Sequence, residues 1–184
     1  MEPASLRGKL LVATPVLGDP NFRRTVVLVL EHSPEGAVGI VLNRASETAV
    51  ADPLPQWKAL TADPAVVFVG GPVSRELVIG LGRRKPGTSE VGWSAVVERV
   101  GTIDLDDLDG ALATVDAVRL FAGYAGWGPE QLEGEIAARA WWVVGARGGD
   151  AFSPDPAGLW AAVLRRQRGE LRLLANYPLE PSHN

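Results

Sequence analysis

The sequence predicts a single α+β domain built around a mixed β-sheet. Segments with strand-like and helix-like patterns alternate irregularly along the chain, and at least one pair of strands is joined as an antiparallel hairpin. The chain has 184 residues, 46% of them hydrophobic, which is enough for one sizeable core and too short for two comfortable domains. We expect this domain to span residues 1–178 and residues 179–184 to form a frayed tail.

The hairpin is the clearest element of the sequence. Residues 24–31 are apolar on both faces, which predicts a central strand. Pro34 and Gly36 then stand where a type I turn favours proline and glycine. Residues 37–43, AVGIVLN, read as the returning strand, so the two strands form an antiparallel pair.

This hairpin separates two sets of polar residues. His32 is expected beside Ala37, at the turn. Asn43 and Arg44 lie at the open end, about 20 Å from the turn at about 3.3 Å per strand residue. The segment that contains Asp19 leads into the same open end. We therefore expect Asp19, Asn43 and Arg44 to converge without His32.

The remaining elements follow from periodicity and from helix-end signals. A proline opens each of the last two predicted helices, and Asp155 is placed to cap the final one. The predicted strands are 66–69, 76–81, 94–100, 117–122 and 141–145. The predicted helices are an irregular one around 54–60, then 106–113, 129–139 and 156–169.

Composition limits the classes of function. Lys and Arg number 18 against 22 Asp and Glu, giving a net charge of -4 and a pI of about 5.2, whereas proteins that neutralise a phosphate backbone are usually basic on one face. The chain has no cysteine, which excludes disulfides, thiolate nucleophiles and sulfur metal ligands. Its first residues lack the pattern of a signal peptide, and no apolar run approaches the roughly 18 residues of a membrane span. We expect a cytoplasmic protein without a membrane partner.

Residues 121–136, FAGYAGWGPEQLEGEI, run from an apolar strand through glycines into a helix, as phosphate-binding loops do. The spacing G-x-x-G-x-G matches neither the dinucleotide fingerprint nor the Walker A motif. Glu130 and Glu133 already occupy the start of the helix, where they would repel a phosphate. The sequence therefore does not favour a phosphate site here.

Two other interpretations of this loop stay open. The favoured one is a tight crossing, in which glycines let the backbone bend while Tyr124 and Trp127 pack on their neighbours. The alternative is a small ligand that stacks on these aromatic rings. Residues 70–72, Gly-Gly-Pro, pose a similar choice between a sharp turn and a ligand lying against bare backbone.

Catalytic motifs are not recognisable in the sequence. The histidines are His32 and His183, and neither a Gly-x-Ser-x-Gly elbow nor a His-x-x-x-His pair is present. The acidic residues between 104 and 109 are typical of a helix start. A metal-assisted hydrolase built on scattered carboxylates remains an alternative, but the sequence predicts a non-enzyme without cofactor or metal.

Direct DNA binding is a second alternative. Residues 83–85, Arg-Arg-Lys, are typical of a solvated loop, and the arginines from 165 to 172 suit a helix C-terminus. No helix-turn-helix is legible, and neither basic run is interleaved with aromatic residues. We do not expect direct contact with nucleic acid.

Three blocks together resemble the AlgH/YqgE family of bacterial proteins. They read LLVATPVLGDPNFRRTVVLVLEHSPEGAVGIVLNR, FVGGPVS and FAGYAGWGPEQLEGEIAARAWWVV, in that order, and the resemblance spans roughly residues 8 to 165. It implies a single α+β domain whose mixed, largely antiparallel sheet is partly barrel-like and flanked by helices. It also carries the label of transcriptional regulator, which comes from a regulatory association rather than from a DNA-binding element, and it implies no particular chemistry.

The family's motif residues can be placed on this chain by position. Many relatives have a histidine several residues after the Gly-Gly-Pro turn, whereas this chain reads LVIGL over residues 77–81, so chemistry that needs that histidine is not available here. The matching positions are Thr14, Pro15, Asp19, Phe22, His32, Gly36, Asn43, Arg44, Gly70, Gly71, Pro72, Gly123, Tyr124, Gly126, Trp127, Gln131 and Glu135.

From these observations we predict a non-enzymatic regulatory module that binds a small ligand or a protein partner at a shallow site. Arg44 is expected to pair with a carboxylate or phosphate, Asn43 to orient the ligand, and Phe22 or Trp127 to supply apolar contact. A strand-end turn with an ion pair between Arg44 and Asp19 explains the same residues without a ligand. The candidate site comprises Asp19, Phe22, Asn43, Arg44, Gly70, Gly71, Pro72, Tyr124, Gly126 and Trp127.

Overall fold

The computed structural model describes residues 4–88 and 93–178, so the predicted frayed tail at 179–184 lies outside the described residues. The fold is mixed α+β, as the sequence predicted. Its strands, in chain order, are β1 (Lys9–Ala13), β2 (Val26–Ser33), β3 (Gly36–Val41), β4 (Ala45–Ala49), β5 (Val66–Val69), β6 (Val73–Arg84), β7 (Trp93–Val97), β8 (Val100–Ile103), β9 (Val115–Trp127) and β10 (Trp141–Gly145).

The helices are short. They are α1 (Leu108–Thr114), α2 (Gln131–Ala137), α3 (Leu159–Arg165) and α4 (Glu170–Leu173), with 3₁₀ turns at Pro55–Leu60, Gly148–Phe152, Pro156–Gly158 and Leu174–Asn176. Asp155 caps the Pro156–Gly158 turn by accepting from the Gly158 N–H, as expected. The single predicted helix over 156–169 is wrong, because α3 ends at Arg165 and Gly169 adopts a left-handed φ of 69° before α4.

The sheet is largely antiparallel and curled. Its strands follow the order β10-β1-β2-β3-β9-β6-β8-β7, and β5 joins the side of β9 in the parallel direction with β4 on its outer edge. Curling brings the edge strand β7 back towards the start of the chain, where the Arg7 guanidinium donates to the Ala95 carbonyl at 2.5 Å. The resulting half-barrel confirms the architecture implied by the sequence resemblance.

The predicted hairpin is confirmed as β2 and β3. His32 pairs with Ala37 and Ser33 with Gly36. The apolar residues of β2 are buried on both faces because alternate side chains enter two different cores, Val26 and Leu28 on one face and Val27 on the other. A central strand covered on both sides is the arrangement that such a sequence favours.

The strand prediction was wrong along the glycine-rich segment. β9 continues to Trp127 instead of ending at 122, since Ala125 pairs with Gly39 and Trp127 with Ala37. The predicted strand over 94–100 is two strands, β7 and β8, joined by a tight turn at Glu98, which has a φ of 50°. Strands β1 and β4 were not predicted.

One arginine is part of the core. Arg119 on β9 is fully buried, and its guanidinium donates to the carbonyls of Asp63, Ala151 and Ser153 at 2.7–3.2 Å while lying 4.4 Å from the centre of the Phe68 ring. Burial lowers the pKa of Arg119 to about 10, and the nearby Asp63 opposes this shift. The side chain therefore stays charged at neutral pH and joins two loops to the sheet.

Candidate functional site

Asn43 holds the open end of the β2–β3 hairpin together. Its Oδ1 accepts a hydrogen bond from the Val26 N–H at 3.0 Å, and its Nδ2 donates to the Arg24 carbonyl at 2.9 Å. Both polar ends of the amide are thus used by the backbone. The side chain borders the cavity described below, but its hydrogen bonds serve the fold.

Arg44 holds the loop that precedes β2. Its Nη1 donates to the Asn21 carbonyl at 2.6 Å, and its Nη2 donates to the carbonyls of Pro20 and Arg23 at 2.7 and 3.2 Å. Asp19 shapes the same loop, because its Oδ1 accepts from the Asn21 N–H at 2.9 Å. The three residues expected to converge at the open end therefore do meet around this loop.

Arg44 also has a second arginine as a neighbour. Burial lowers the pKa of the Arg44 guanidinium, Asp19 raises it, and the positive charge of Arg75 lowers it again. A nearby like charge disfavours the charged state of Arg44, and here it is the smallest of the three influences. The two guanidinium groups are thus close enough to interact.

Arg75 reaches this position through an irregularity in β6. The register passes from Val73 opposite Tyr124 to Val78 opposite Ala122, which leaves residues 74–77 outside the ladder. Ser74 has a left-handed φ of 47° at the start of this bulge. Bulges commonly redirect a side chain in this manner. No local residue pattern marks Arg75 as a candidate site residue, and it was not among the predicted ones.

The two arginines border one shallow cavity of about 510 Å³, whose remaining walls include Asn43, Val69 and residues 156–157. Arg75 is exposed, and no carboxylate within residues 4–88 and 93–178 lies at ion-pairing distance from it. Three of the five N–H groups of Arg44 serve its backbone bonds, which leaves two. The cavity thus has positive charge and unused donors.

The two glycine loops lie against each other rather than against open space. A Cβ added at Gly71 would come within 2.1 Å of the Tyr124 carbonyl carbon, and one added at Gly70 within 2.4 Å of the Gly123 oxygen. Gly123 has a φ of 77°, and a Cβ there would lie 2.5 Å from the Gly71 oxygen. Only glycines permit so close a crossing of two backbones. The space that a ligand would need beside these glycines is taken by the crossing itself.

The other members of the candidate site are placed by the same crossing. Tyr124 pairs with Val73 and Gly126 with Val38, so both belong to the sheet ladder. Pro72 is exposed and leads into β6. None of these three borders the arginine-lined cavity, and we assign them to the sheet rather than to a site.

Phe22 and Trp127 belong to an aromatic cluster with Trp141. The ring centres of the three residues are 5.6–6.3 Å apart, and Trp127 is 7% exposed. Glu135 closes the cluster by accepting from the indole N–H groups of Trp127 and Trp141 at 2.6 and 3.1 Å. Buried indole groups need such an acceptor. These residues pack on each other and do not face the arginines.

His32 lies at the other end of the hairpin, as predicted. Its Nδ1 accepts from the Leu6 N–H at 2.9 Å, so the proton of the neutral ring is assigned to Nε2, which donates to Glu133 at 2.6 Å. This bond lowers the pKa of the Glu133 carboxyl, together with a smaller contribution from a backbone N–H. Both ring nitrogens are occupied, so His32 has no free atom for acid–base chemistry in this arrangement.

Two general features of the described residues bear on function. They contain no group of three or more His, Cys, Asp or Glu side chains that could hold a metal ion. No helix among them is long and apolar enough to cross a membrane.

Comparison with known proteins identifies the class. Residues 10–172 match the family described as DUF179, AlgH-like. The chain is 50% identical over 188 residues to a UPF0301 protein of Streptomyces coelicolor, covering 100% of this chain and 97% of the relative. A UPF0301 protein of Thermobifida fusca is 43% identical over 194 residues, covering 100% of this chain and 98% of the relative.

Two solved structures have the same fold as this chain. The crystal structure of protein DIP2367 from Corynebacterium diphtheriae superposes with a TM-score of 0.89 at 32% identity, covering 96% of this chain and 94% of the other. The solution structure of the AlgH protein from Pseudomonas aeruginosa superposes with a TM-score of 0.69 at 29% identity, with 98% of each chain covered. The chain belongs to the AlgH-like UPF0301 family, whose function is uncharacterised.

Proposed function

We propose that this protein is a non-enzymatic, cytoplasmic regulatory module that binds a small ligand through a carboxylate or phosphate group held between Arg44 and Arg75. The observation that carries the proposal is the pair of guanidinium groups on one cavity, with no carboxylate paired to Arg75 within the described parts of the chain. Arginine presents a planar fork of donors that suits both of these anionic groups.

The two arginines have different tasks in this proposal. Arg44 is fixed by three backbone carbonyls, so its remaining donors are held in place before a ligand arrives. Such preorganisation lowers the entropic cost of binding. Arg75 is exposed on the bulge of β6 and borders the same cavity. Occupancy of the site then determines the charge presented by this face of the protein.

Thermal unfolding in inorganic phosphate and in acetate tests the proposal. At equal ionic strength in chloride as the reference, the wild type should gain stability as RT ln(1 + [L]/Kd), about 2.7 kcal/mol at one hundred times Kd. Arg75→Ala should remove this gain. Arg165→Ala, which deletes an exposed arginine outside the cavity lining, should leave it unchanged.

The comparison between the variants is the decisive quantity, because phosphate also stabilises folded proteins generally by exclusion from their surface. Equal gains in the wild type and in Arg75→Ala would refute the proposal. A short DNA duplex presents the same phosphate group on a polymer. A second outcome is that the duplex binds in a manner that depends on Arg75 and weakens steeply with salt, while free anions do not bind. That result would show that the ligand is DNA and not a small molecule.

A further inference from the structure

A short segment before β1 connects two strands that are distant in the sheet. Residues 5–8, which we name the N-terminal strap, pass from the turn end of the β2–β3 hairpin to the edge strand β7. The guanidinium group of Arg7 donates to the Leu30 carbonyl of β2 at 2.9 Å and to the Ala95 carbonyl of β7 at 2.5 Å. The strap therefore closes part of the gap that the half-barrel leaves between these strands.

Two backbone amides attach the strap to β2, and their acceptors differ in kind. The Leu6 N–H donates to Nδ1 of His32 at 2.9 Å, whereas the Gly8 N–H donates to the Val29 carbonyl at 2.8 Å. An imidazole nitrogen accepts a hydrogen bond only while it carries no proton, and a carbonyl accepts one at any pH. One of the two attachments can therefore be broken by protonation, and the other cannot.

We infer that the N-terminal strap is a pH-sensitive element, in which protonation of His32 at Nδ1 displaces the Leu6 N–H and loosens the strap from the hairpin. The neutral ring carries its proton on Nε2, so a second proton enters at Nδ1. An imidazolium donates from both nitrogens and accepts at neither, so turning the ring over does not restore the bond. This inference does not depend on the proposed anion site.

The charged groups around the ring leave its second contact in place. The bond between Nε2 and Glu133 becomes charge-assisted when the ring is protonated. That bond lowers the pKa of the Glu133 carboxyl, so the carboxylate keeps its charge while the ring takes up a proton. Protonation thus breaks the contact with the strap and keeps the contact with α2. The other charged residues of the adjoining segments are Arg7 in the strap, Glu31 and Glu35 in the hairpin, and Glu130 and Glu135 in or beside α2.

Burial of the ring makes the loss of this acceptor significant. The His32 side chain is 6% exposed, so water cannot readily take its place, and the Leu6 N–H has no second acceptor within residues 4–88 and 93–178. Losing one neutral hydrogen bond should raise the population of the open strap about fivefold. The Gly8 attachment does not titrate, so the effect should be confined to residues 5–7.

Amide proton exchange measured by NMR tests the inference. Rates are recorded at about pH 8 and about pH 5, the range in which histidine side chains titrate. Each rate is divided into the intrinsic rate of an unstructured peptide at the same pH, which gives a protection factor. The protection factor of the Leu6 amide should fall about fivefold or more at the lower pH, whereas that of the Gly8 amide should not change. An equal fall at both amides, or no fall at Leu6, would overturn the inference.

Two variants identify the group that is responsible. His32→Asn places a side-chain oxygen close to the position of Nδ1 and cannot titrate, so the protection of Leu6 should be the same at both pH values. Glu133→Gln removes the carboxylate but leaves the Nδ1 contact, so it should keep the fall, and it serves alone if His32→Asn does not fold. A fall that persists in His32→Asn, or that disappears in Glu133→Gln, would assign the effect to another group and overturn the inference.

Discussion

Both ends of the β2–β3 hairpin carry polar side chains, but the two ends differ in how many of their polar atoms have hydrogen-bond partners. At the turn end, His32 has each ring nitrogen bonded, one to the Leu6 N–H and one to Glu133. At the open end, three of the five N–H groups of Arg44 are bonded, and Arg44 borders one cavity together with Arg75, a group of the same charge. At the first end both ring nitrogens have partners, whereas at the second end two N–H groups of Arg44 are unused and Asp19 and Arg75 act on its charge in opposite directions.

Polar side chains at the two ends of the hairpin differ in what they contribute to the protein. A buried or half-buried polar side chain that satisfies the backbone contributes to stability, and its removal leaves orphaned donors or acceptors. Two arginines that border one cavity repel each other, and this is the feature on which the proposed anion site rests. The comparison predicts that mutations at the turn end affect folding alone, and that substitution of Arg75 affects binding while changing the stability very little.

The largest effect is expected from Asn43→Ala. This change leaves the Val26 N–H and the Arg24 carbonyl without their partners, which should destabilise the fold by about 3 kcal/mol in urea unfolding. Asn43→Asp keeps the acceptor but not the donor, so its stability should lie between those of the wild type and Asn43→Ala. Asn21→Ala, an exposed asparagine of the same loop, is the control. A cost for Asn43→Ala no larger than that of Asn21→Ala would show that the amide does not hold the hairpin.

His32→Ala should cost less, about 2 kcal/mol, because it removes one bond to a backbone N–H and one to a largely solvated carboxylate. Glu35→Ala, an exposed residue of the same turn, should change the stability very little. The binding of acetate and of phosphate should be unaffected by His32→Ala. A loss of anion binding in this variant would break the proposed separation of the two ends.

Glu133→Gln should have a smaller effect that depends on pH. The bond from His32 holds the pKa of Glu133 below the usual value of about 4.3, so the carboxylate stabilises the folded protein above that pH. The stability difference between wild type and variant, at most about 1 kcal/mol because the Glu133 side chain is partly exposed, should vanish as the pH falls through the folded pKa. A difference that persists unchanged at pH 3 would contradict the assigned hydrogen bond from His32 to the Glu133 carboxylate.

Arg75→Ala should have the smallest effect on stability, and of opposite sign. Removing one of two like charges should stabilise the ligand-free protein by about 0.3 kcal/mol at low ionic strength, and added salt should erase the gain. Arg165→Ala should show no such salt-dependent gain. Clear destabilisation by Arg75→Ala would mean that its charge already has a partner in the fold.

Arg44 is a less useful probe of binding than the sequence suggested. Because its guanidinium holds the carbonyls of Pro20, Asn21 and Arg23, its removal disturbs the loop as well as the cavity. Arg75 makes no such contacts in the part of the chain that the structure describes, so its substitution separates binding from folding.

The sequence predicted the hairpin because its signals are local. A Pro-Gly turn between two apolar runs determines both the pairing of His32 with Ala37 and the distance to Asn43. The mixed α+β class followed from the same kind of pattern. Site residues that depended on this register, Asp19 and Arg44, were correctly brought to one end.

Sequence patterns failed where distant segments meet. Glycines usually mark turns, and only the crossing of Gly71 with Gly123 explains why β9 continues through them as a strand. The favoured interpretation of the loop, in which Trp127 packs on its neighbours, agrees with the aromatic cluster. Phe22 and Trp127 were also named as candidate ligand contacts, because the sequence does not reveal that Trp141 and Glu135 complete that cluster. Arg75 was missed because its position depends on a register change in β6 that no local residue type announces.

The bulge of β6 has a consequence for how this protein can change. Residues 74–77 lie between two pairings that are held independently, Val73 with Tyr124 and Val78 with Ala122. An insertion, deletion or substitution within residues 74–77 should leave the pairing of both neighbouring segments intact. The same change would move or replace Arg75 at the cavity. The proposed anion preference could therefore be changed at these positions, by evolution or by an engineer, without altering the rest of the sheet.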